Sequence, residues 1–351
     1  MRILGIFRGF PGLGRVVSGV GILETLRDKY NCEVEIISYL QGKDYLALTG
    51  DYKIPEVTSF DYCSIGLLPT NRMGLYIHER IKQLEPDIVL IDGEPLILQS
   101  IKISFPNIKI VTLLNPSDVD NPTNDKFSMN YFNYLYGMAD IAIVHGLRKV
   151  ETDSRYKKLI SIDTILRPQI LTLKNNQTKN IYCILGGGTL NVGQEFIEST
   201  VRIAELCKQL GYKLTDYKIH IICSSINIYE RVNEDNIAEN IYIYNNITDA
   251  TQYYSDACLI ITRSGRNTLS EVSYLNIPTI SFISGCHFRR NEQEDNIKNT
   301  NNKNIHTCTI DIDIEEFNSI CLNAIHNKTS ESTSRCGNEV AIQQILNLYL
   351  K

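Results

Sequence analysis

The stretch ACLIITRSGRNTLSEVSYLNIPTISFI, residues 257–283, decides the fold. An apolar run (257–262) gives way abruptly to Arg263, Ser264, Gly265 and Arg266, helical spacing follows over 266–275, and a second apolar run occupies 277–283. Short apolar strands alternating with helical stretches are the signature of a parallel sheet covered on both faces. The turn between the first strand and its helix also carries chemistry. A helix that begins near Ser264 and Gly265 points the positive end of its dipole and its first amides toward an anion. Arg263 and Arg266 add donors suited to a diphosphate.

The same rhythm extends outward in both directions. Strands are expected at 2–7, 33–38, 87–92, 109–114 and 140–145, with helices near 15–29, 72–84, 95–104 and 126–137. The proline-bearing, Asn-rich run 166–180 interrupts the pattern and reads as a linker. Strands then resume at 181–188, 217–225, 241–246, 257–262 and 277–283, with a helix near 193–210. Residues 296–304, NIKNTNNKN, read as a solvated loop or a helix end. The class is α/β, two doubly wound Rossmann-like domains with a ligand cleft expected beyond the carboxyl ends of the strands. The first spans 1–166 with the helix 338–350 packing back on it, 167–180 links them, and the second spans 181–337.

Composition narrows the function. With 43% hydrophobic and 21% charged residues and a net charge of -5, the chain lacks the basic excess of a nucleic-acid binder. Its ten cysteines are scattered without a C-x-x-C pair, several inside apolar runs, and suggest reduced core thiols of a cytoplasmic protein. The opening MRILGIFRGF has too short an apolar run for a signal peptide or a membrane span. Membrane contact is therefore expected to be peripheral at most. Two segments could supply it, FSMNYFNYLYGMAD (127–140) and NRMGLYIHERIKQL (71–84), although aromatic helices beside a strand are commonly core.

Three turns could hold a ligand. After the first strand, Gly12, Gly14 and Arg15 form a phosphate-type loop in physical terms, yet the spacing matches neither dinucleotide nor P-loop patterns, so an ordinary strand-to-helix turn stays open. Gly187, Gly188 and Thr189 in LGGGTLNVG (185–193) repeat the arrangement, with a threonine hydroxyl able to donate to phosphate. The third is the opening stretch. Within its helix Glu271 could accept a pair of hydrogen bonds from a ribose, and Glu292, Gln293 and Asn296 further on are spaced to share a helix face.

The order GLGRVVSG, GGGTLNVG, TRSGRNTLSEVSYLNIPTISF and NEQEDN resembles the GT-B glycosyltransferases of family 28, which include the peptidoglycan UDP-N-acetylglucosamine transferases. IDGEPL (91–96) is similar to an Asp-x-Glu-Pro stretch in some bacterial and archaeal members. The resemblance implies a UDP- or dTDP-sugar donor on the second domain. Gly187, Gly188, Thr189, Ser264 and Gly265 would cradle the diphosphate with Arg263 beside it, Ile247 would offer its backbone to the nucleobase, Glu271 would take the ribose, and Gln293, with Glu292 and Asn296, would hold the sugar. The first domain would present a small-molecule, glycan, peptide or lipid-linked acceptor. Inversion of configuration also follows from the resemblance.

One position departs from the family. Arg15 stands where a histidine is usual, and a guanidinium cannot accept a proton, so Arg15 is expected to favour an anion. The base must come from elsewhere or be unnecessary. Candidates are Glu94 and Asp92, then Asp118 and Asp120, and less so His145 or His287, with helix capping as the alternative for the carboxylates. No metal or other cofactor is expected, since arginines and helix amides can stabilise the departing diphosphate. Alternatives are a nucleotide-sugar hydrolase or epimerase, a non-catalytic nucleotide-sugar-binding subunit, and a plain metabolite-binding protein.

Overall fold

The computed structural model describes residues 1–9, 12–49, 71–121, 125–185, 194–223, 225–233, 237–245, 247, 249–284, 287–329 and 335–350. They form two compact units, 1–168 with 336–351, and 169–335. Each is built on its own parallel sheet.

In the first unit β1 (Arg2–Phe7), β2 (Glu33–Ile37), β3 (Ile88–Asp92), β4 (Lys109–Leu114), β5 (Ile141–His145) and β6 (Leu159–Ile162) lie in the order β2-β1-β3-β4-β5-β6. Its helices are α1 (Gly14–Tyr30), α2 (Gln41–Thr49), α3 (Asn71–Leu84), α4 (Pro95–Ser104), α5 (Pro116–Val119) and α6 (Lys126–Tyr136), with α7 (Pro168–Thr172) at the unit boundary. The strands are nearly continuous apolar runs because both faces are covered. Their two-residue period sorts the side chains into two cores: Ile3, Ile88, Leu90 and Val111 face α1, while Leu4, Val89, Ile91 and Ile110 face α3 and α4.

In the second unit β7 (Asn180–Ile184), β8 (Lys218–Ile222), β9 (Ile241–Tyr244), β10 (Ala257–Arg263), β11 (Thr279–Ile283) and β12 (Ile305–Thr309) lie in the order β12-β11-β10-β7-β8-β9. Its helices are α8 (Gln194–Lys213), α9 (Ile226–Val232), α10 (Arg266–Tyr274), α11 (His287–Asn299) and α12 (Ile314–His326). The last helix, α13 (Asn338–Tyr349), belongs to the first unit and buries Ala341, Ile342 and Ile345 in the core beside α1. Asn338 fastens its start, accepting from the Leu166 amide at 2.9 Å and donating to the Leu166 carbonyl at 2.8 Å.

Two strands go beyond the sequence expectation. Both β6 and β12 are edge strands, and β12 is largely solvated, so neither presents the apolar run that marks a central strand. Residues 296–304, expected as a loop or helix end, comprise the end of α11 and the turn into β12. The polar run before β7 is held in place: the Asn176 amide donates to Ser255 O at 2.7 Å and the Thr178 amide to Asp256 O at 3.0 Å. All eight described cysteines are free thiols, and seven of them are buried. Among the described residues no helix is long and apolar enough to cross a membrane.

Candidate functional site

Strand order fixes where each sheet can bind. In the first unit β1 sends its connection one way to β2 and β3 returns on the other side, so the crevice opens at the carboxyl ends of β1 and β3. In the second the same reversal lies between β7 and β10. Arg15, Asp92 and Glu94 fall at the first of these places, and Arg263, Ser264, Gly265 and Arg266 at the second.

At the first reversal the charges meet one another. Arg15, in the first turn of α1, donates from Nη2 to both Asp118 oxygens at 2.8 and 2.9 Å and from Nη1 to Asp92 Oδ1. The expected anion for Arg15 is thus internal, a pair of carboxylates from the ends of β3 and β4, rather than a ligand. Burial opposes the guanidinium's charge, but Asp118 and then Asp92 outweigh it and raise its pKa well above the usual value. Burial alone would raise Asp118; Arg15 and the Asn115 amide, which donates to Oδ2 at 2.8 Å, bring it below the usual carboxylate range. Asp92 is fully buried and Asp118 is bonded on both oxygens, so the two read as the counter-ions of Arg15 and not as proton acceptors. Asn133 steadies this corner by donating to Val119 O at 3.2 Å.

Glu94 differs. It occupies the N-cap position of α4, yet its carboxylate makes no capping bond. Oε1 instead accepts from the Tyr39 hydroxyl and lies 3.6 Å from Arg8 Nε, while Arg8 Nη2 donates to Gly93 O. Burial raises its pKa, and Arg8 and Tyr39 only partly oppose this. A buried carboxyl with an elevated pKa at a strand end is a recognised arrangement for general acid–base work. Gly93 lets the corner close: its φ is +86°, and a Cβ there would stand 2.7 Å from Arg15 Cδ and 2.9 Å from Arg8 Cβ. Gly12 faces open space, and Gly14 opens α1. His145 is buried and accepts from the Ile165 amide at 3.3 Å, the setting of a core histidine.

At the second reversal Gly187, Gly188 and Thr189 lie outside the described residues. The other half is defined. Gly265, which has no side chain with which to cap the helix, is the N-cap of α10 and is exposed. The Ser264 hydroxyl, expected to face a diphosphate, points inward to Ser281 Oγ at 2.8 Å and Phe282 O at 3.1 Å. Arg263 donates from Nη2 to Thr200 and, at 3.1 Å, to Ser199, so it grips α8. Arg266 Nε donates to Asn267 at 3.1 Å. Glu271, buried in α10, accepts from the Tyr254 hydroxyl at 3.2 Å. Gln293 spans the Ser284 backbone, accepting from its N–H and donating to its carbonyl at 2.8 Å each, and Asn296 donates to Ser264 O at 3.0 Å. Glu292 is half-buried one residue away. The Ile247 amide, offered to a nucleobase in the expectation, donates to Cys223 O at 3.2 Å.

Sequence reasoning missed Arg8, Tyr39 and Tyr254. The first two lie just past the carboxyl ends of β1 and β2, the signal that found Asp92 and Glu94. Tyr254 sits in a single helical turn and had no such marker.

Comparison with known proteins agrees with this layout. Residues 182–344 match the glycosyltransferase family 28 C-terminal domain. The UDP-N-acetylglucosamine–N-acetylmuramyl-(pentapeptide) pyrophosphoryl-undecaprenol N-acetylglucosamine transferase of Thermosipho africanus is 26% identical over 247 residues, 67% of this chain and 68% of that one. The Bacillus pumilus protein of that name is 26% identical over 227 residues, 62% of this chain and 58% of its own. Among solved structures, Acinetobacter baumannii MurG superposes over 99% of each chain with a TM-score of 0.59 at 13% identity. S. aureus MnaA with UDP superposes over 99% of this chain and 96% of that one, with a TM-score of 0.65 at 13% identity. The fold is GT-B, and its second unit carries the match to the glycosyltransferase family 28 C-terminal domain.

Proposed function

We propose that the protein transfers a sugar from a UDP- or dTDP-linked donor to a hydroxyl acceptor, with inversion and without a metal ion. In this reading the second unit holds the donor and the first presents the acceptor. The observation that carries it is the start of α10 at exposed Gly265, with no acidic residue in its first turn, at the reversal between β7 and β10 and inside the family 28 region. The dipole of that helix, with Thr189 and Arg266, would stabilise the charge that builds on the departing diphosphate. Glu271 would take the ribose, while Gln293 and Asn296 would shape the sugar pocket through Ser284 and Ser264. Glu94 would accept the proton of the attacking hydroxyl.

The acceptor is proposed to be lipid-linked or a glycan. Helix α6 supports a lipid surface, because Phe127, Tyr131 and Tyr134 recur at i, i+4 and i+7 and leave one aromatic face exposed. Co-sedimentation with anionic vesicles, lost in a Phe127→Ser, Tyr134→Ser variant, would support that contact.

A second reading, a nucleotide-sugar epimerase or hydrolase, is favoured by one observation: the buried carboxylates Asp92 and Glu94 gather at the carboxyl end of β3. Incubation with UDP-N-acetylglucosamine and with dTDP-glucose, following free nucleotide and sugar configuration, separates the readings. Nucleotide release that requires an acceptor supports transfer. An inverted sugar still attached to UDP, or release in water alone at the same rate, sinks it.

A further inference from the structure

We propose that Tyr39 is a positioning residue for Glu94: it fixes one carboxylate oxygen so that the other, Oε2, is the atom that takes the acceptor's proton. The inference rests on the reading of Glu94 as the base.

The geometry is asymmetric. The hydrogen bond from Tyr39 and the ion pair with Arg8 both fall on Oε1, and among the described residues Oε2 has no hydrogen-bond partner. Tyr39 is itself buried just past β2, so its ring cannot swing away without opening the core beside Leu40 and Ile37. A phenol donates one hydrogen, and here it is directed at the carboxylate. Arg8 approaches from the loop after β1 and is anchored on Gly93 O. Among the described residues Arg15, from α1, is the other cation facing Glu94, and its donors are engaged by Asp92 and Asp118. One oxygen of Glu94 is therefore held from two sides.

The chemistry follows from that hold. As the acceptor oxygen's lone pair forms its bond to the anomeric carbon, the hydroxyl proton passes to Oε2. The bond from that carbon to the diphosphate breaks, and its electron pair leaves with the diphosphate. A carboxylate free to rotate would spend much of its time with neither oxygen in line, which is the loss that positioning avoids. Burial raises the Glu94 pKa, whereas Tyr39 favours the ionised form. Removing the hydroxyl thus withdraws a donor from the form that acts as the base.

The experiment compares the full chain with its Tyr39→Phe variant, each carrying carboxyl-13C glutamate, with the Glu94 signal assigned by its loss in Glu94→Gln. The expected result is a Glu94 midpoint above that of ordinary glutamates in the unaltered protein, and higher again in Tyr39→Phe. With UDP-N-acetylglucosamine as donor and octyl glucoside as a hydroxyl acceptor, the acceptor-dependent UDP release by Tyr39→Phe should fall about tenfold near neutrality with little change in KM, and its acid limb should move to higher pH. An unchanged Glu94 midpoint, or release by the variant at the unaltered rate, overturns the role of Tyr39 and leaves the transferase reading intact. A shifted midpoint with UDP release from the unaltered protein that is the same with and without octyl glucoside overturns the transferase reading, and the proton transfer with it. Should the variant not fold, an ordinary Glu94 midpoint in the unaltered protein overturns the proposal.

Discussion

The two sheets reverse their strand order at equivalent places and furnish those places in opposite ways. At the first reversal each arginine meets carboxylates, Arg15 with Asp92 and Asp118, Arg8 with Glu94. At the second, Arg263 is gripped by the hydroxyls of Ser199 and Thr200, which hold a guanidinium without cancelling its charge, and α10 begins with no acidic residue in its first turn. The same topological pocket is thus furnished in one unit with acid–base groups and in the other with groups suited to an anion. A fold alone does not specify which.

The most direct attempt to break this contrast is Glu94→Gln. Turnover, measured as nucleotide diphosphate release, should drop about 10²–10⁴-fold, as for loss of a general base, while calorimetric affinity for the donor is unchanged. A matching loss of affinity would mean that the two reversals do not divide the labour. Next in size is Arg15→Ala, which strands two carboxylates at the buried corner. Denaturant unfolding of the first unit should show a loss of about 3–5 kcal/mol. Arg263→Ala breaks bonds to neutral partners and should cost less, about 1.5–3 kcal/mol.

Gly93→Ala probes the first corner from its backbone. A Cβ at φ +86° meets both arginines, and a destabilisation of about 1–3 kcal/mol is expected. Glu271→Gln sharpens the other side: donor binding should weaken about tenfold, or about 1.4 kcal/mol, with the fold retained by circular dichroism.

The smallest effect is the pH dependence of stability. The folded-state pKa of Asp118 is depressed, so its contribution is present above its unfolded pKa and is lost as pH falls through the folded value. Glu94 has the opposite sign. Its pKa is raised on folding, so its contribution is fully present below the unfolded pKa and is lost as pH rises through the folded one. Asp118→Asn should flatten the acid limb of a denaturation series, and Glu94→Gln should flatten the limb above it.

Much of this was legible in the sequence. The central strands announce themselves as apolar runs, and helix α4 begins at Pro95 and ends at Ser104, the bounds its spacing implies. Edge strands such as β12 do not, because a strand solvated on one side carries threonine and histidine among its apolar residues. The positions of the charged groups were also readable, since each follows a strand end. Their pairing was not. Arg15 finds Asp92 77 residues away and Asp118 103 residues away, contacts that only the assembled sheet order brings together. For the same reason Arg15 read as a ligand for something foreign, and Ser264 as outward-facing when its hydroxyl is spent on β11.

Helix α13 has a consequence for how the polypeptide matures. Ala341, Ile342 and Ile345 complete the hydrophobic interior of a unit whose other residues precede position 169, yet they are translated after every residue of the second unit. During synthesis the earlier lobe must wait with an apolar seam along α1 while the later one can already close. Pulse-labelled nascent chains arrested near residue 330 should therefore protect the later lobe from protease before the earlier one, reversing the order in which the ribosome made them.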